Sequence, residues 1–411
     1  MDKNDFLKKA DKMKDYLINI RRYLHENPET GFDLHKTKKF VKEELEKIGL
    51  CVNEVGKCGL CCIIGGKKEG KTFLLRADMD ALPIKEQSDV SFKSKNENMH
   101  ACGHDMHTAM LIGAAKLLKE CENDLNGTVK LMFQPAEEIL GGSKDMINSG
   151  ILKNPDVDYA LMIHVMANIS LKAGTAIVGK KGVTAPSADY FQIEVKGKGS
   201  HGSMPNLGVD SLLTASQILI ALQEINSREL ALSEDLVLTV GMMNGGTAPN
   251  AIADTTMMKG AMRCYDENVR NNVKKRMEEI SKGIAQSYRC ESKLSFTSSC
   301  PTLFNDENLS LKICECLKEI LGEKNAFSVN ELIKSDETGG LDKTAGSEDF
   351  SYISHEVPSI MVALCAGEPQ KGYKYSQHHP MVKFDEEVIS VGSVVYAYSA
   401  MKFLEENGGH V

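Results

Sequence analysis

The apolar residues of this chain fall into two successive rhythms, and the point where one gives way to the other restricts the folds open to it. Phe6, Ala10, Met13, Leu17, Ile20 and Leu24 recur at steps of four and three, which predicts one amphipathic helix over 6–24, ended by Pro28 and Gly31. A second helix is expected from Thr37 to Ile48, closed by Gly49. Strands are expected at 59–65 and 72–77, then helix 105–121, strand 128–134, helix 143–152 and strand 158–164. Such alternation builds a sheet covered by helices, an α/β layer. From Asp189 the order becomes strand 189–196, helix 208–226, strand 236–242, strand 255–263, helix 266–288 and strand 292–297. This β-α-β-β-α-β succession makes a two-layer α+β domain of its own. Further helices are expected near 307–321 and 385–405. With 411 residues, more than one ordinary core supports, the expectation is an α/β domain in two segments, 1–187 and 301–411, with a second domain inserted at 188–300.

Charge and cysteine content narrow the partners. A formal net charge of -8 argues against nucleic acid, which calls for a basic face, and no apolar run reaches the length of a membrane span. The first residues carry no apolar signal region, so the expectation is a cytoplasmic protein without a membrane partner. The 12 cysteines are then expected to be reduced. Cys58 and Cys61 have a C-x-x-C spacing, but no second pair completes a tetrahedral set nearby, and they read as buried strand residues.

Three polar clusters fall just past the ends of expected strands: Asp78 and Asp80 after Phe73-Leu74-Leu75, Glu137 and Glu138 after Val129 to Phe133, and His164 after Tyr159 to Ile163. Ligands of α/β sheets bind at that edge. A fourth cluster, Met99-His100-Ala101-Cys102-Gly103-His104-Asp105-Met106-His107, sets a thiol beside three imidazoles. Side chains two apart leave extended backbone on one face, so Cys102 and His104 can reach one site, with Gly103 allowing close approach of the chain. Thiolate and imidazole favour zinc or another late first-row ion over calcium or magnesium. A hydrolytic dinuclear centre needs ligands to two ions ~3.5–4 Å apart and a carboxylate that takes a proton from water. Candidate ligands are Cys102, His104, Glu138, His164 and one of His378 and His379; neighbouring side chains diverge, so Glu138 binds while Glu137 serves as the base.

Taken in order, Arg76-Ala77-Asp78-Met79-Asp80-Ala81-Leu82-Pro83, His100 to Asp105, Phe133-Gln134-Pro135-Ala136-Glu137-Glu138, Gly199-Ser200-His201 and Gly346-Ser347-Glu348-Asp349-Phe350 resemble the aminoacylase/carboxypeptidase family of co-catalytic metallopeptidases. Within it they look like the amidohydrolase branch that includes hippurate hydrolase and auxin-conjugate hydrolases. The likeness runs from His25-Glu26-Asn27-Pro28-Glu29 to His378-His379-Pro380. It implies a phosphorylase/hydrolase-like mixed-sheet catalytic domain and a ferredoxin-like insert that acts as lid and dimerisation domain. It also implies two divalent ions, zinc first with manganese, cobalt or nickel as alternatives, held by Cys102, His104, Glu138, His164 and His378. His378 is chosen over His379 because Pro380 then satisfies the branch's H-x-P pattern. Glu137 is implied as acid and base, and Asp80 sits where the wider family orients a ligand. Asp78 replaces that family's metal-binding His. Asp105 and His107 are candidates for holding the ligands. His201 is implied to stabilise the oxyanion in the partner subunit's site, and Asn250 and Arg263 to bind the substrate carboxylate, Arg being suited to a two-pronged bond. Ala253 stands where the family commonly has Pro.

The expected activity is hydrolysis of the amide bond of N-acyl amino acids by a homodimer. A dipeptidase or carboxypeptidase of the same family is the alternative. Two further readings are a hydrolase with Cys102 as nucleophile and His104 as its base, and a non-enzymatic, metal-stabilised carboxylate-binding or assembly protein. His25, His35, His100, His355 and His410 read as structural or surface residues. The run Lys196-Gly197-Lys198-Gly199-Ser200 lacks the G-K-[ST] of a phosphate loop.

Overall fold

The computed structural model describes residues 2–334 and 346–407, so His410 lies outside the described residues. Two compact units are present, one of residues 1–184, 304–343 and 349–411, the other of 185–303 and 344–348.

In the first unit, strands β1 (Asn53–Val55), β2 (Gly59–Gly65), β3 (Lys71–Asp78), β4 (Gly127–Gln134), β5 (Tyr159–Met166), β6 (Ala176–Val178), β15 (Ala326–Ser328) and β16 (Ser359–Cys365) form one mixed sheet. Its order is β1-β2-β4-β3-β5-β16-β6-β15. The four strands β4, β3, β5 and β16 are mutually parallel neighbours, in register from Leu75 against Leu131 and Leu161 to Ile360 against Leu161. Buried on both sides, they are almost continuously apolar, as parallel strands are. That is why Ser359–Cys365 escapes sequence reading: a run without alternation does not separate strand from buried helix. Helices α1 (Lys3–Lys12), α2 (Lys14–Glu26), α3 (His35–Lys47), α4 (His104–Glu120) and α5 (Gly142–Asn148) cover the sheet together with α8 (Glu307–Leu321) and α11 (Val388–Asn407). The helix expected over 6–24 is two helices broken at Met13. The apolar stripe runs unbroken through Met13, so periodicity alone does not register the break. The helix expected over 143–152 ends at Asn148, and α11 begins at Val388 rather than near 385.

In the second unit, β8 (Ser187–Lys196), β10 (Leu236–Gly245), β12 (Thr255–Cys264) and β13 (Glu291–Cys300) form an antiparallel sheet of order β10-β12-β8-β13. Helices α6 (Ser211–Glu224) and α7 (Glu267–Ser287) complete the β-α-β-β-α-β order. Asp210 and Asp266 cap them: Asp210 accepts from the amides of Leu212 and Leu213, and Asp266 from those of Asn268 and Val269. One cluster of Phe191, Ile193, Val195, Ile218, Leu222 and Met277 makes this unit's core. The short β9 (Ser200–His201) and β11 (Ala251–Ile252) pair beside it.

Candidate metal centre

Parallel pairing brings the carboxyl ends of β3, β4, β5 and β16 to one rim, and the polar clusters sit there. Asp80 follows β3, Glu137 and Glu138 follow β4, His164 lies near the end of β5, and His378 comes after β16. Cys102 and His104 enter through the turn that starts α4, where Gly103 has φ 88°. In that left-handed region a side chain is strained, so glycine allows the thiol and the imidazole to flank the turn. The Glu137-Glu138 turn is bounded by two further positive-φ residues, Ala136 and Leu140. It is closed by hydrogen bonds from Leu140 N to Glu137 O and from Gly141 N to Ala136 O. The Asp80 carboxylate lies beneath it, accepting from Glu137 N at 3.1 Å and Glu138 N at 3.3 Å.

The side chains converge. Cys102 Sγ lies 3.5 Å from His164 Nε2 and 3.3 Å from His378 Nε2; His378 Nε2 is 3.5 Å from Glu138 Oε1. His104 Nε2 lies 3.8 Å from Glu138 Oε1 and 3.9 Å from Glu137 Oε2. Two potential ligand triads share the sulfur, Cys102 with His104 and His164, and Cys102 with Glu138 and His378; Glu137 joins His104 and Glu138 in a third. The imidazoles are oriented from behind. His104 Nδ1 donates to Asp80 O at 2.8 Å and His164 Nδ1 to Val165 O at 2.9 Å, which leaves each Nε2 directed at the cluster.

These residues fit a cation. His104 Nε2 and Glu138 Oε1 are buried without any hydrogen-bond partner, a cost that a positive ion between them would remove. Burial, with Asp80 and Asp78 nearby, outweighs His104 and a hydrogen bond from Cys102 and raises the Glu138 pKa to about 7. Burial and Glu138 push the Cys102 thiol well up, the reverse of what an activated nucleophile needs. Burial and the neighbouring His107 take His164 down to about 3, so it is a neutral donor.

His379 turns away, stacked on Tyr375 with ring centroids 4.1 Å apart. His107 donates from Nδ1 to Asp78 at 2.6 Å and accepts from Val165 N at 2.9 Å, so both its nitrogens are used next to His164. Asp105 faces α2 rather than the cluster, pairing with Arg21 and His25. Sequence reading passed over Arg76, which is fully buried and pairs with Asp78 at 2.7 Å and Asp349 at 3.1 Å. The i, i+2 spacing of Arg76 and Asp78 on a strand was the available signal. In the second unit, His201 Nδ1 accepts from Ser203 N at 3.2 Å, Gly202 N donates to Asn250 O at 2.7 Å, and Arg263 donates to Ser347 Oγ at 2.7 Å. Among the described residues no potential ligand group includes Cys58 or Cys61; Cys58 Sγ donates to Phe32 O instead.

Soft and imidazole donors gathered beside a carboxylate, at the carboxyl rim of a mixed sheet, define a metal-assisted hydrolase. Residues 74–402 match the model of Peptidase family M20/M25/M40, and the chain belongs to that family, whose members hydrolyse amide bonds. It is 36% identical over 403 residues to thermostable carboxypeptidase 2 of Saccharolobus solfataricus, covering 95% of this chain and 96% of the relative. It is 36% identical over 389 residues to hippurate hydrolase of Campylobacter jejuni, covering 94% and 96%. A Bacillus subtilis dinuclear metal binding peptidase of the M20 family superposes with a TM-score of 0.77 at 31% identity, covering 96% of this chain and 99% of that one. Among the described residues no helix is long and apolar enough to cross a membrane.

Proposed function

We propose that this chain hydrolyses the amide bond of N-acyl amino acids, releasing a free amino acid and a carboxylate. The convergence of Cys102, His104, Glu138, His164 and His378, with Glu137 beside them, carries the reading. Two divalent ions held by those five residues, zinc by the chemistry of thiolate and imidazole, would polarise the acyl carbonyl and acidify a water. Glu137 takes the proton of the attacking water and delivers it to the leaving amine. Asp80 acts as a positioning residue, holding the amides of Glu137 and Glu138. His201 holds the developing oxyanion in the partner subunit's site: its Nδ1 accepts from Ser203 N, so the exposed Nε2 carries the proton and can donate. Arg263, steadied by Ser347, and Asn250 hold the substrate carboxylate. Without the family's Pro at 253, the turn near Asn250 is secured by bonds from Gly202 N to Asn250 O and from Ser211 Oγ to Ala253 O.

The inserted domain, 188–300, serves as lid and homodimer interface. Supporting this, β10 is an edge strand with Val237 and Met242 exposed, and α6 exposes Leu213 and Ile220. The length of the chain, beyond that of small disulfide-stapled domains, favours reduced cysteines and a cytoplasmic setting. The carboxypeptidase relative keeps dipeptides as the alternative substrate class.

A panel of N-acetyl, benzoyl and longer N-acyl amino acids and dipeptides, assayed after metal analysis, tests the substrate class. Glu137→Gln should retain the metals while kcat/KM falls about 10²–10⁴-fold. Unchanged turnover in that variant, or hydrolysis surviving full metal removal, overturns the proposal.

A further inference from the structure

His378 is the one candidate ligand with a mostly exposed side chain, on an irregular segment and at φ 64°. What holds it is therefore a question in itself. Its N–H donates to Ala101 O at 2.9 Å, and Gln377 Nε2 donates to Val165 O at 2.7 Å. Beyond it, Pro380 O accepts from Gln87 N at 2.8 Å and Lys383 pairs with Asp89 at 2.9 Å. The ligand segment is thus tied to the loop around residues 86–89.

That loop is anchored in turn by His25. The imidazole, buried on α2, has Nδ1 2.8 Å from Asp105 Oδ2 and Nε2 3.2 Å from Glu86 Oε1. Carboxylates only accept, so donation from both ring nitrogens makes the ring an imidazolium linking two acids; Arg21 Nη2, itself a donor, lies 3.3 Å from the same Nδ1, and the shorter 2.8 Å contact to Asp105 sets that nitrogen's role. Asp105 immediately follows His104, and its carboxylate also pairs with Arg21 Nε at 2.8 Å. Glu86 also accepts from Ser94 N and the Ser88 hydroxyl, which shapes the loop. On the far side, Arg21 and Arg22 pair with Glu386, past the His378 segment. Arg21, His25, Glu86 and Asp105 are all at most 5% exposed. Burial and Arg21 push His25 toward neutrality, yet Asp105 and Glu86 outweigh them and raise its pKa. Burying four charged groups is expensive, and nothing in the proposed chemistry uses them.

We propose that His25 is a positioning residue: by bridging Asp105 and Glu86 it fixes the spacing between His104 and the His378 segment, and so the affinity for the ion that His378 and Glu138 hold. The inference rests on the ligand assignment of the proposed function. The test is calorimetric titration of metal-free wild type, His25→Gln and Glu86→Gln with Zn(II), alongside kcat and KM with an N-acyl amino acid. Wild type should bind two ions. Each variant should keep one tight ion and bind the second about 10–100-fold more weakly. Its kcat should recover with excess Zn(II), and KM should stay within about twofold. Two ions bound with wild-type affinity, or both weakened alike, would overturn the positioning role. If His25→Gln does not fold, Glu86→Gln, which keeps the side chain's shape, decides. Failure of wild type to bind two ions would instead strike the ligand assignment itself.

Discussion

Gly103→Ala tests whether the backbone, and not only the donor atoms, builds the centre. Gly103 has φ 88°, and a β-carbon there would sit 2.4 Å from Val165 Cγ2 and 3.2 Å from Phe384 Cζ. The left-handed conformation costs an L-residue about 1–2 kcal/mol. Crowding a packed site adds about 1–3 kcal/mol, because Val165 is fully buried, stiff about χ1 and tied by its N–H to His107. The sum is a destabilisation of about 2–5 kcal/mol. Relief has to come from the turn itself, whose Gly103 O accepts from Met106 N and His107 N, so Cys102 and His104 move with it. A displacement of about 1 Å at reacting groups costs on the order of 100-fold in rate. Urea denaturation of the metal-free protein reads the first effect; metal content and kcat/KM read the second. A variant within about 0.5 kcal/mol of wild type that still binds two ions would refute the reasoning, since that is the range of an ordinary surface change.

Arg76→Met leaves the fully buried carboxylates of Asp78 and Asp349 short of their common cation, and should destabilise the protein by about 3–5 kcal/mol in a denaturant titration. His201→Ala should lower kcat about 10²–10³-fold with little change in KM. If His201 serves the partner's site, mixing and reassociating that variant with Glu137→Gln should restore about a quarter of wild-type activity, because half the dimers then carry one intact site. Chelation should abolish hydrolysis, while iodoacetamide should leave the metal-loaded enzyme active, Cys102 being only 8% exposed. His25 has a raised folded pKa, so its stabilisation is complete below the ordinary value of 6.5 and is lost as pH rises through the folded value. Metal-free wild type should therefore lose stability on that alkaline side in pH-resolved denaturation, and His25→Gln should lack this limb.

Much of the centre was legible in the chain because its parts obey local rules. Cys102-Gly103-His104 announces two donors around a turn, Glu137-Glu138 follows a strand, and Asp210 and Asp266 mark helix starts through bonds made within three residues. The strand Ser359–Cys365 was not legible, since burial on both faces erases alternation. Nor was the role of Arg21 and His25: four residues apart on the buried face of α2, they look like any pair in an apolar stripe until Asp105 and Glu86 arrive from 61 or more residues away.

Residue order is enough to place most strands and helices and to pick out the side chains with donor chemistry, because propensity, capping and ligand softness belong to residues and their near neighbours. Tertiary structure alone decided that β4, β3, β5 and β16 lie side by side in parallel. It alone turned His379 onto Tyr375 and set buried ion pairs behind the donors. Those outcomes depend on contacts between distant residues, whose energies arise only when the whole sheet and its covering helices have assembled.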